Sequence, residues 1–280
     1  MPQKNDEPAL RPVDLIARAA RQEARRQSFD AAAEAYDRHR PGYPEPLFRD
    51  LCERLPPPAR VLEIASGTGH ATLPLAERGY AIRGIELGER LAELARKKLV
   101  AHPGARIETG RFEVAAVEPQ SADLVVCASA FHWLEHKHAL PKIASALRPG
   151  GLFALLWTSQ PHESTDGFAQ AARPIYLRLA PELLAERARE SAPARMSRAV
   201  PGILLGAAEF TGFSHQEYRF TRTFATQDYL GLLGTYSNYL TLPQPTRAAL
   251  FSELRELLDT GFGGRLEREF RSALQLARRR

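Results

Sequence analysis

Two acidic residues and two glycines stand at a spacing that could hold a nucleoside. Glu63 lies inside an apolar run, and Gly67 and Gly69 follow it in a short polar turn. Glycines let the backbone approach a ligand closely, and free N–H groups at the start of a following helix face a negative group. Glu86 comes 23 residues after Glu63, where a carboxylate suits the two hydroxyls of a ribose. These residues therefore indicate a nucleoside-containing ligand.

The elements that would position these residues alternate between strands and helices. Residues 60–65 (RVLEIA) are predicted as a strand, residues 72–78 as a helix and residues 81–86 (AIRGIE) as a second strand. The further predicted strands are 106–109, 123–128, 152–158, 215–224 and 270–277. This alternation predicts an α/β fold, a doubly wound Rossmann-like sheet of seven mostly parallel strands with helices on both faces.

The chain is predicted to divide into a regular core and less regular additions. We expect a tail or surface helix over residues 1–27 and the ligand-binding core over residues 28–158. Residues 159–262 interrupt the alternation directly after strand five, and we predict a helical insertion there with a returning strand near 215–224. Residues 263–280 are expected to supply the final strand and a basic C-terminus.

The composition is that of a globular protein. Of the 280 residues, 44% are hydrophobic and 25% are charged, which suffices for a substantial core. No apolar run approaches the roughly 18 residues of a membrane span, and no secretory signal pattern precedes the core. The two cysteines, Cys52 and Cys127, form no CxxC pair or disulfide framework. We therefore expect a soluble, cytoplasmic protein that does not bind membranes.

The positive charge is concentrated at the two ends. Of the formal net charge of +5, residues 1–27 carry +2 and residues 265–280 carry +4, which leaves −1 for the body. A nucleic-acid-binding protein more often shows a basic face across its body. We therefore expect no nucleic-acid partner and interpret the arginine-rich C-terminus as a solvated end.

A dinucleotide cofactor fits the glycine turn less well than another nucleoside does. The dinucleotide fingerprint requires Gly or Ala at its third position, where Thr72 stands. An acidic residue inside the strand, such as Glu63, is also unexpected for NAD. A nicotinamide-dependent oxidoreductase remains an alternative at this point.

The same turn resembles the first motif of the class I S-adenosylmethionine-dependent methyltransferases. That motif is acidic-x-Gly-x-Gly-x-Gly, and Glu63, Ala65, Gly67 and Gly69 match it, with the small Ala65 in place of the first glycine. The resemblance makes Glu86 the ribose ligand. It covers residues 29–157 well, and the segment 123–134 with its Phe-His-Trp turn is loosely similar to the trans-aconitate and ubiquinone-type methyltransferases.

The resemblance implies further cofactor-binding residues. The segment after strand three places Phe112 and Glu113 at the adenine, with Arg111 where many members have an aspartate. Ala128, at the end of strand four, is expected to border the cofactor. Thr68 would bond the methionine carboxylate or cap the following helix. Arg40 would pair with that carboxylate or tie the N-terminal segment to the core.

His132 is the candidate catalytic residue. It follows the strand that borders the methyl donor, so it would act as a base or orient the substrate. Trp133 is expected to pack or to face the sulfonium. His132, His136 and His138 lack the further ligands and geometry of a metal site, so we predict none.

Taken together, the resemblance implies methyl transfer from S-adenosylmethionine (SAM) to a small-molecule acceptor by in-line displacement, with S-adenosylhomocysteine as product. A non-catalytic SAM-binding protein is the second alternative. The insertion is predicted to cover the acceptor pocket, where its aromatic side chains would enclose the acceptor or only pack the insertion onto the sheet. These side chains are Phe168, Tyr176, Tyr229, Tyr236 and Tyr239.

Overall fold

The computed structural model describes residue 30 and residues 32–161, 166–188 and 192–280. The tail or surface helix predicted for residues 1–27 lies outside the described residues. None of the helices in the described part of the chain is long and apolar enough to cross a membrane.

One sheet of seven strands forms the centre of the described chain. The strand order is β3-β2-β1-β4-β5-β7-β6, and β7 runs antiparallel to both of its neighbours while the other pairs are parallel. The strands are β1 (Arg60–Ile64), β2 (Ala81–Glu86), β3 (Ala105–Thr109), β4 (Ala122–Ala128), β5 (Leu147–Ser159), β6 (Phe210–Ala225) and β7 (Arg265–Arg279). The predicted Rossmann-like, mostly parallel sheet is confirmed.

Helices surround this sheet. The helices of the described residues are α1 (Ala33–His39), α2 (Glu45–Arg54), α3 (Thr72–Glu77), α4 (Glu89–Lys98), α5 (His136–Ala146), α6 (Gly167–Leu179), α7 (Pro181–Ala188), α8 (Ala192–Gly206), α9 (Thr226–Leu233), α10 (Ser237–Leu240) and α11 (Gln244–Gly261). A short 3₁₀ helix spans Phe131–Trp133 between β4 and α5.

The central strands are apolar throughout because both faces of the sheet are covered. In β4, Leu124 and Val126 belong to one hydrophobic core, whereas Val125 and Cys127 belong to the other. Helices α2, α3 and α4 pack into the first core, and α5 and α8 pack into the second. A parallel strand buried on both faces shows a continuous apolar run, and this explains the sequence of β4.

The sequence predicts a helical insertion with a returning strand after β5, and in the described residues this region is α6, α7 and α8, then β6, then α9, α10 and α11. Helix α8 packs on the sheet through Val200 and Leu204 rather than standing over its edge. Helices α6, α7, α9 and α11 form a third core with the ends of β6 and β7. The part of the predicted insertion that follows β6 is three helices, because the chain turns at Gly234 and again before Pro243. We call α6, α7, α9, α10 and α11 the cover.

Candidate functional site at the carboxyl edge of the sheet

A crevice is expected where the strand order reverses, outside the carboxyl ends of β1 and β4. The turn after β1 lies there. Gly67 and Gly69 have φ of +57° and +84°, in the left-handed region that favours glycine. A Cβ added to Gly67 would meet nothing within 4 Å, so the space in front of this turn is open.

The Glu86 carboxylate holds the glycine turn in place. Its Oε2 accepts the backbone N–H of Gly67 at 2.7 Å, and its Oε1 accepts that of Gly88 at 2.8 Å. The side chain is 5% exposed, and this burial raises the carboxyl pKa although the backbone N–H groups lower it in part. Each carboxylate oxygen can accept a second hydrogen bond. Glu86 can therefore bind hydroxyls of a ligand while it keeps the turn closed.

Glu63 is the second acidic group of the crevice, and it is fully buried in β1. Neither carboxylate oxygen makes a hydrogen bond within the described residues. Burial raises the pKa of Glu63 to about 8; the nearby Thr72 hydroxyl lowers it in part, and the Glu86 charge raises it. The Gly67 N–H of the glycine turn is bound by Glu86 and not by Glu63. Glu63 is thus available to a ligand.

Three hydroxyl groups at the same turn can donate or accept hydrogen bonds. The Ser66, Thr68 and Thr72 hydroxyls are buried and make no hydrogen bond within the described part of the chain. Thr68 does not cap the following helix, because α3 begins at Thr72 with Ala71 at its N-cap and no side-chain hydrogen bond. Buried polar groups are normally hydrogen-bonded, so this cluster fits a polar ligand placed against the turn.

A tyrosine from the segment before the sheet contacts the crevice. The Tyr43 hydroxyl lies 2.9 Å from that of Ser129, the residue directly after β4. Ser129 has a φ of 54°, a strained conformation of the kind that clusters at functional sites. Burial raises the pKa of Tyr43 far above its ordinary value, so its phenol stays neutral. The pair can donate and accept hydrogen bonds but cannot act as a phenolate base.

Arg40 lies between α1 and the cover. Its Nε donates to the Thr235 hydroxyl at 2.8 Å, and its Nη2 donates to the Thr235 carbonyl oxygen at 2.9 Å. The guanidinium lies 4.2 Å from the Tyr236 ring centroid and 5.2 Å from that of Tyr36. Arg40 therefore joins the N-terminal segment to the cover, not to the core as was expected from the sequence.

The three histidines after β4 lie in different environments. His132 is half-buried in the 3₁₀ helix, with its ring centroid 4.6 Å from that of Trp133 and 6.0 Å from that of Trp157. His136 stacks on Phe131 at 4.3 Å and belongs to α5. His138 is exposed and pairs with a neighbouring carboxylate. Across the residues that the structure describes, no group of three His, Cys, Asp or Glu side chains could hold a metal ion.

Comparisons with known proteins point to one family. A family profile described as "Methyltransferase domain" matches residues 62–155, which hold the glycine turn and both acids. An uncharacterized methyltransferase of Mycobacterium tuberculosis is 29% identical over 234 residues, 83% of this chain and 86% of that one. An uncharacterized methyltransferase of Geobacillus kaustophilus is 32% identical over 155 residues, 51% of this chain and 70% of that one. The chain belongs to the class I S-adenosylmethionine-dependent methyltransferases.

Two further similarities agree with this assignment. The trans-aconitate 2-methyltransferase of Variovorax paradoxus is 30% identical to this methyltransferase over 128 residues, 44% of this chain and 48% of that one. The solved structure of a protein named as a type II methyltransferase, from Anaeromyxobacter dehalogenans, is also similar. It has a TM-score of 0.57 and 27% sequence identity, and the match covers 86% of this chain and 96% of that one. The predicted family is confirmed, and the alternative of a nicotinamide-dependent oxidoreductase is wrong.

The remaining predicted residues of the methyltransferase lie along the same edge. The Phe112 side chain is buried in the second core, and its carbonyl oxygen accepts a hydrogen bond from Lys142 at 2.6 Å. Glu113 is exposed, with a carboxylate oxygen 3.9 Å from Arg111 Nε. Ala128, the last residue of β4, is half-buried, and Ala65 keeps a left-handed φ of 55° next to the glycine turn.

Sequence reasoning missed two residues of this region. Leu87 follows Glu86 and exposes 37% of its surface, unusually much for a large apolar residue beside a buried acid. Its position directly after the strand-end acid could have singled it out. Ser129 was also missed, because nothing in its sequence context predicts the left-handed backbone that brings its hydroxyl to Tyr43.

Proposed function

We propose that this methyltransferase binds SAM at the carboxyl edge of β1, β2 and β4 and transfers its methyl group to a small-molecule acceptor. The observation that carries the proposal is Glu86, a buried carboxylate at the end of β2 that holds the Gly67 turn and still has acceptor capacity for two ribose hydroxyls. The open space at Gly67 and the buried hydroxyls of the turn support the same placement.

For this reaction the protein mainly has to position the acceptor relative to the methyl group. SAM, when bound, supplies a methyl group that the positive sulfur has already activated. The chain must then hold the acceptor's nucleophile in line at about 3–3.5 Å from the methyl group. In our proposal Glu86 binds the ribose, the turn of Ala65, Gly67, Thr68 and Gly69 lies against the cofactor, and Glu63 faces its methionine end.

The other predicted site residues have assigned places in this proposal. Phe112 and Glu113 border the adenine with Leu87, and Ala128 borders the reacting group. The half-buried His132 orients the acceptor or takes its proton. It lies at the carboxyl end of β4 against two tryptophan rings, which leaves it beside an apolar surface rather than in solvent.

The acceptor pocket is proposed to lie under the cover. Tyr236 marks its border, because its ring lies on Arg40 at the junction of α1 and the cover. The trans-aconitate enzyme among the relatives acts on a small organic acid, and this supports a small molecule as the acceptor class.

The test of cofactor binding is calorimetry with SAM, S-adenosylhomocysteine and NAD. We expect both adenosyl ligands to bind and NAD to give no heat of binding. Glu86→Ala should weaken SAM binding by about 1.5–3 kcal/mol, the scale of hydrogen bonds to a charged group. Glu108→Gln, at an exposed carboxylate paired with Arg83, is the matched control and should bind as the wild type does. Equal SAM affinity in the two variants would remove the assignment of Glu86.

A turnover screen separates the enzyme from a non-catalytic SAM-binding protein. Small organic acids, phenols and amines are incubated with labelled SAM, and transfer of the label to the acceptor is measured. We expect transfer to at least one small molecule. Label transfer to protein or nucleic acid only would contradict the proposed acceptor class.

A further inference from the structure

We propose that Lys142 of α5 is a positioning residue for the cofactor: its ammonium group fixes the loop of residues 110–115, and the fixed loop discriminates the base of the ligand. This inference rests on the proposed function, since it requires an adenosyl ligand at this edge of the sheet. It goes further because Lys142 is not among the residues assigned to the cofactor and acts only through the loop.

The 110–115 loop begins beside the acid that is proposed to bind the ribose. Gly110, the first residue after β3, donates its N–H to the Glu86 carbonyl oxygen at 2.7 Å. The base of a nucleoside is attached to the ribose, so a ligand held by the Glu86 carboxylate brings its base to this loop. The placement of the loop backbone therefore affects how the base is bound.

The side chains of the loop leave much of this contact to the backbone. Arg111 stands where many members of the family have an aspartate, and the Glu113 carboxylate lies 3.9 Å from Arg111 Nε. The Phe112 side chain is buried in the second core, with 4% exposure. Adenine presents an amino donor and ring-nitrogen acceptors, which backbone C=O and N–H groups can pair with. Such pairing requires a loop of fixed shape.

The loop forms a single helical turn. The N–H groups of Val114 and Ala115 both donate to the Arg111 carbonyl oxygen, at 3.2 and 2.9 Å. The last carbonyl oxygens of a helical turn have no partner within the turn and need one from elsewhere. A positive charge is favourable at that end, because the carbonyl dipoles point towards it.

Lys142 supplies this partner. Its Nζ donates to the carbonyl oxygens of Phe112 and Ala115, each at 2.6 Å, and to that of Glu113 at 3.2 Å. An ammonium group has three N–H donors, so all three can be used on this one loop. Hydrogen bonds from a charged donor are stronger than those from a neutral one.

The helix that carries Lys142 is itself held firmly. Leu140, Ile143 and Ala144 of α5 are buried in the second core, whereas the Lys142 side chain is half-buried and reaches the loop. The loop is thus joined to β2 at its start and to α5 along its turn. A loop that is fixed before the ligand arrives loses less conformational entropy on binding.

The experiment is calorimetry of wild type, Lys142→Met and Lys137→Met with S-adenosylhomocysteine and S-inosylhomocysteine. The two ligands differ only in the base, since the inosyl ligand has a carbonyl oxygen and a ring N–H where adenine has an amino group and a ring-nitrogen acceptor. Methionine keeps a long unbranched side chain but has no donor. Lys137 is exposed on the same helix, so its replacement is the matched control.

The ratio of the two affinities is the informative quantity, because partial unfolding of a variant would lower both affinities by the same factor. We expect wild type and Lys137→Met to prefer the adenosyl ligand by at least about tenfold. Lys142→Met should lose about tenfold in affinity for the adenosyl ligand and less than about twofold for the inosyl ligand. The preference for adenine should therefore nearly disappear.

Three results would overturn the inference. One is a Lys142→Met variant that keeps the wild-type ratio, whether or not both affinities fall. Another is a wild type that binds the two ligands equally well. The third is loss of the preference in Lys137→Met to the same extent. Failure of wild type to bind S-adenosylhomocysteine at all would instead contradict the proposed function.

A second measurement uses only the wild type. The Lys142 amine has to leave its three carbonyl partners before it can be acetylated, and by linkage a ligand that needs the fixed loop must oppose this release. With saturating S-adenosylhomocysteine we expect Lys142 to be acetylated by acetic anhydride at least about threefold more slowly, as measured by mass spectrometry, with Lys137 unchanged. Saturating S-inosylhomocysteine should give a smaller effect. Equal acetylation of Lys142 with and without bound S-adenosylhomocysteine, or equal protection by both ligands, would overturn its role.

Discussion

Arg40 and Thr235 join the N-terminal helix to the cover by two hydrogen bonds, one to the Thr235 hydroxyl at 2.8 Å and one to its carbonyl oxygen at 2.9 Å. Helix α1 is also held to the core, since Asp37 pairs with Lys98 of α4. Gly231 of α9 makes room for His39, because a Cβ there would lie 2.5 Å from the ring. Helix α1 therefore connects α4 with the cover.

Arg40→Ala should loosen this connection. We expect faster hydrogen exchange in residues 33–40 and 226–240, because the loss of hydrogen bonds to a charged group is worth about 1.5–3 kcal/mol. Arg38→Ala, at an exposed position of the same helix, is the control and should leave exchange unchanged. Calorimetry of Arg40→Ala with SAM distinguishes its two expected roles: unchanged affinity supports the tie alone, and weaker binding supports the carboxylate contact as well. Unchanged exchange in α9 would contradict the tie.

Two neighbouring positions of the turn should respond oppositely to mutation. Gly67→Val places a branched side chain at a φ of +57° and fills the open space in front of the turn, so we expect a cost of at least about 1–2 kcal/mol in unfolding free energy and loss of SAM binding. Ala65→Gly relieves a left-handed alanine, so stability should stay equal or rise by up to about 1 kcal/mol.

Urea unfolding and calorimetry of these two variants provide the measurement. Gly104→Ala is the control, because a Cβ there meets nothing within 4 Å and Gly104 has no left-handed φ. A well-folded Gly67→Val that binds SAM as the wild type does would exclude the turn from the cofactor site.

The stability of the free protein should fall with rising pH because of Glu63. The folded protein holds this proton up to about pH 8, whereas the unfolded chain loses it near its ordinary pKa of 4.5. Below the lower value both states are protonated and the group has no effect. Between the two values the folded state binds more protons, so unfolding free energy falls by up to about 1.4 kcal/mol per pH unit.

Glu63→Gln should remove this part of the pH dependence. Unfolding in urea at about pH 5 and at about pH 8 is compared for both proteins, and the variant should gain on the wild type as pH rises. The raised pKa of Glu86 acts in the same direction and is present in both proteins, so the difference between them isolates Glu63. A constant difference across the range would show that Glu63 is ionised in the free protein.

The sequence predicts the core of the sheet well because buried parallel strands are apolar on both faces, as in β4. It predicts element ends poorly. Strand β5 begins at Leu147 rather than Leu152, because the Pro149-Gly150-Gly151 run interrupts the apolar pattern without ending the strand. Of the three C-terminal arginines, Arg278 and Arg280 are exposed as expected, and all three also donate to carbonyl oxygens, those of Gly150, Leu147 and Phe210.

In the site, the types of residue could be predicted from the sequence, but the hydrogen-bond partner of each acidic side chain could not. Both acids could be placed at the crevice from strand ends and spacing. Which acid accepts the hydrogen bond of the glycine turn depends on the positions of the side chains in the folded sheet. Glu86 of the neighbouring strand accepts the Gly67 N–H, whereas neither oxygen of Glu63 makes a hydrogen bond in the described residues. Long-range pairs such as Tyr43 with Ser129 leave no local sequence signal.

The aromatic residues of the cover should divide into two functional groups. Four of them are buried in the third core, in the packing role that was one of the two alternatives from the sequence: Phe168, Tyr176, Tyr229 and Tyr239. Tyr236, by contrast, is half-buried against Arg40. Tyr239→Ala would remove a buried ring and cost about 3–5 kcal/mol, so it cannot report on a pocket. Tyr236→Ala is the informative change.

With an acceptor from the turnover screen, Tyr236→Ala should raise the acceptor KM about tenfold and leave SAM affinity within about twofold, because the ring is proposed to border only the acceptor pocket. Tyr239→Phe is the matched control: it loses the hydroxyl contact with Tyr176 at 2.6 Å and should lower stability by about 1–2 kcal/mol without changing KM. If Tyr236→Ala weakens SAM and acceptor equally, or leaves both unchanged, the cover stabilises the fold and does not enclose the acceptor.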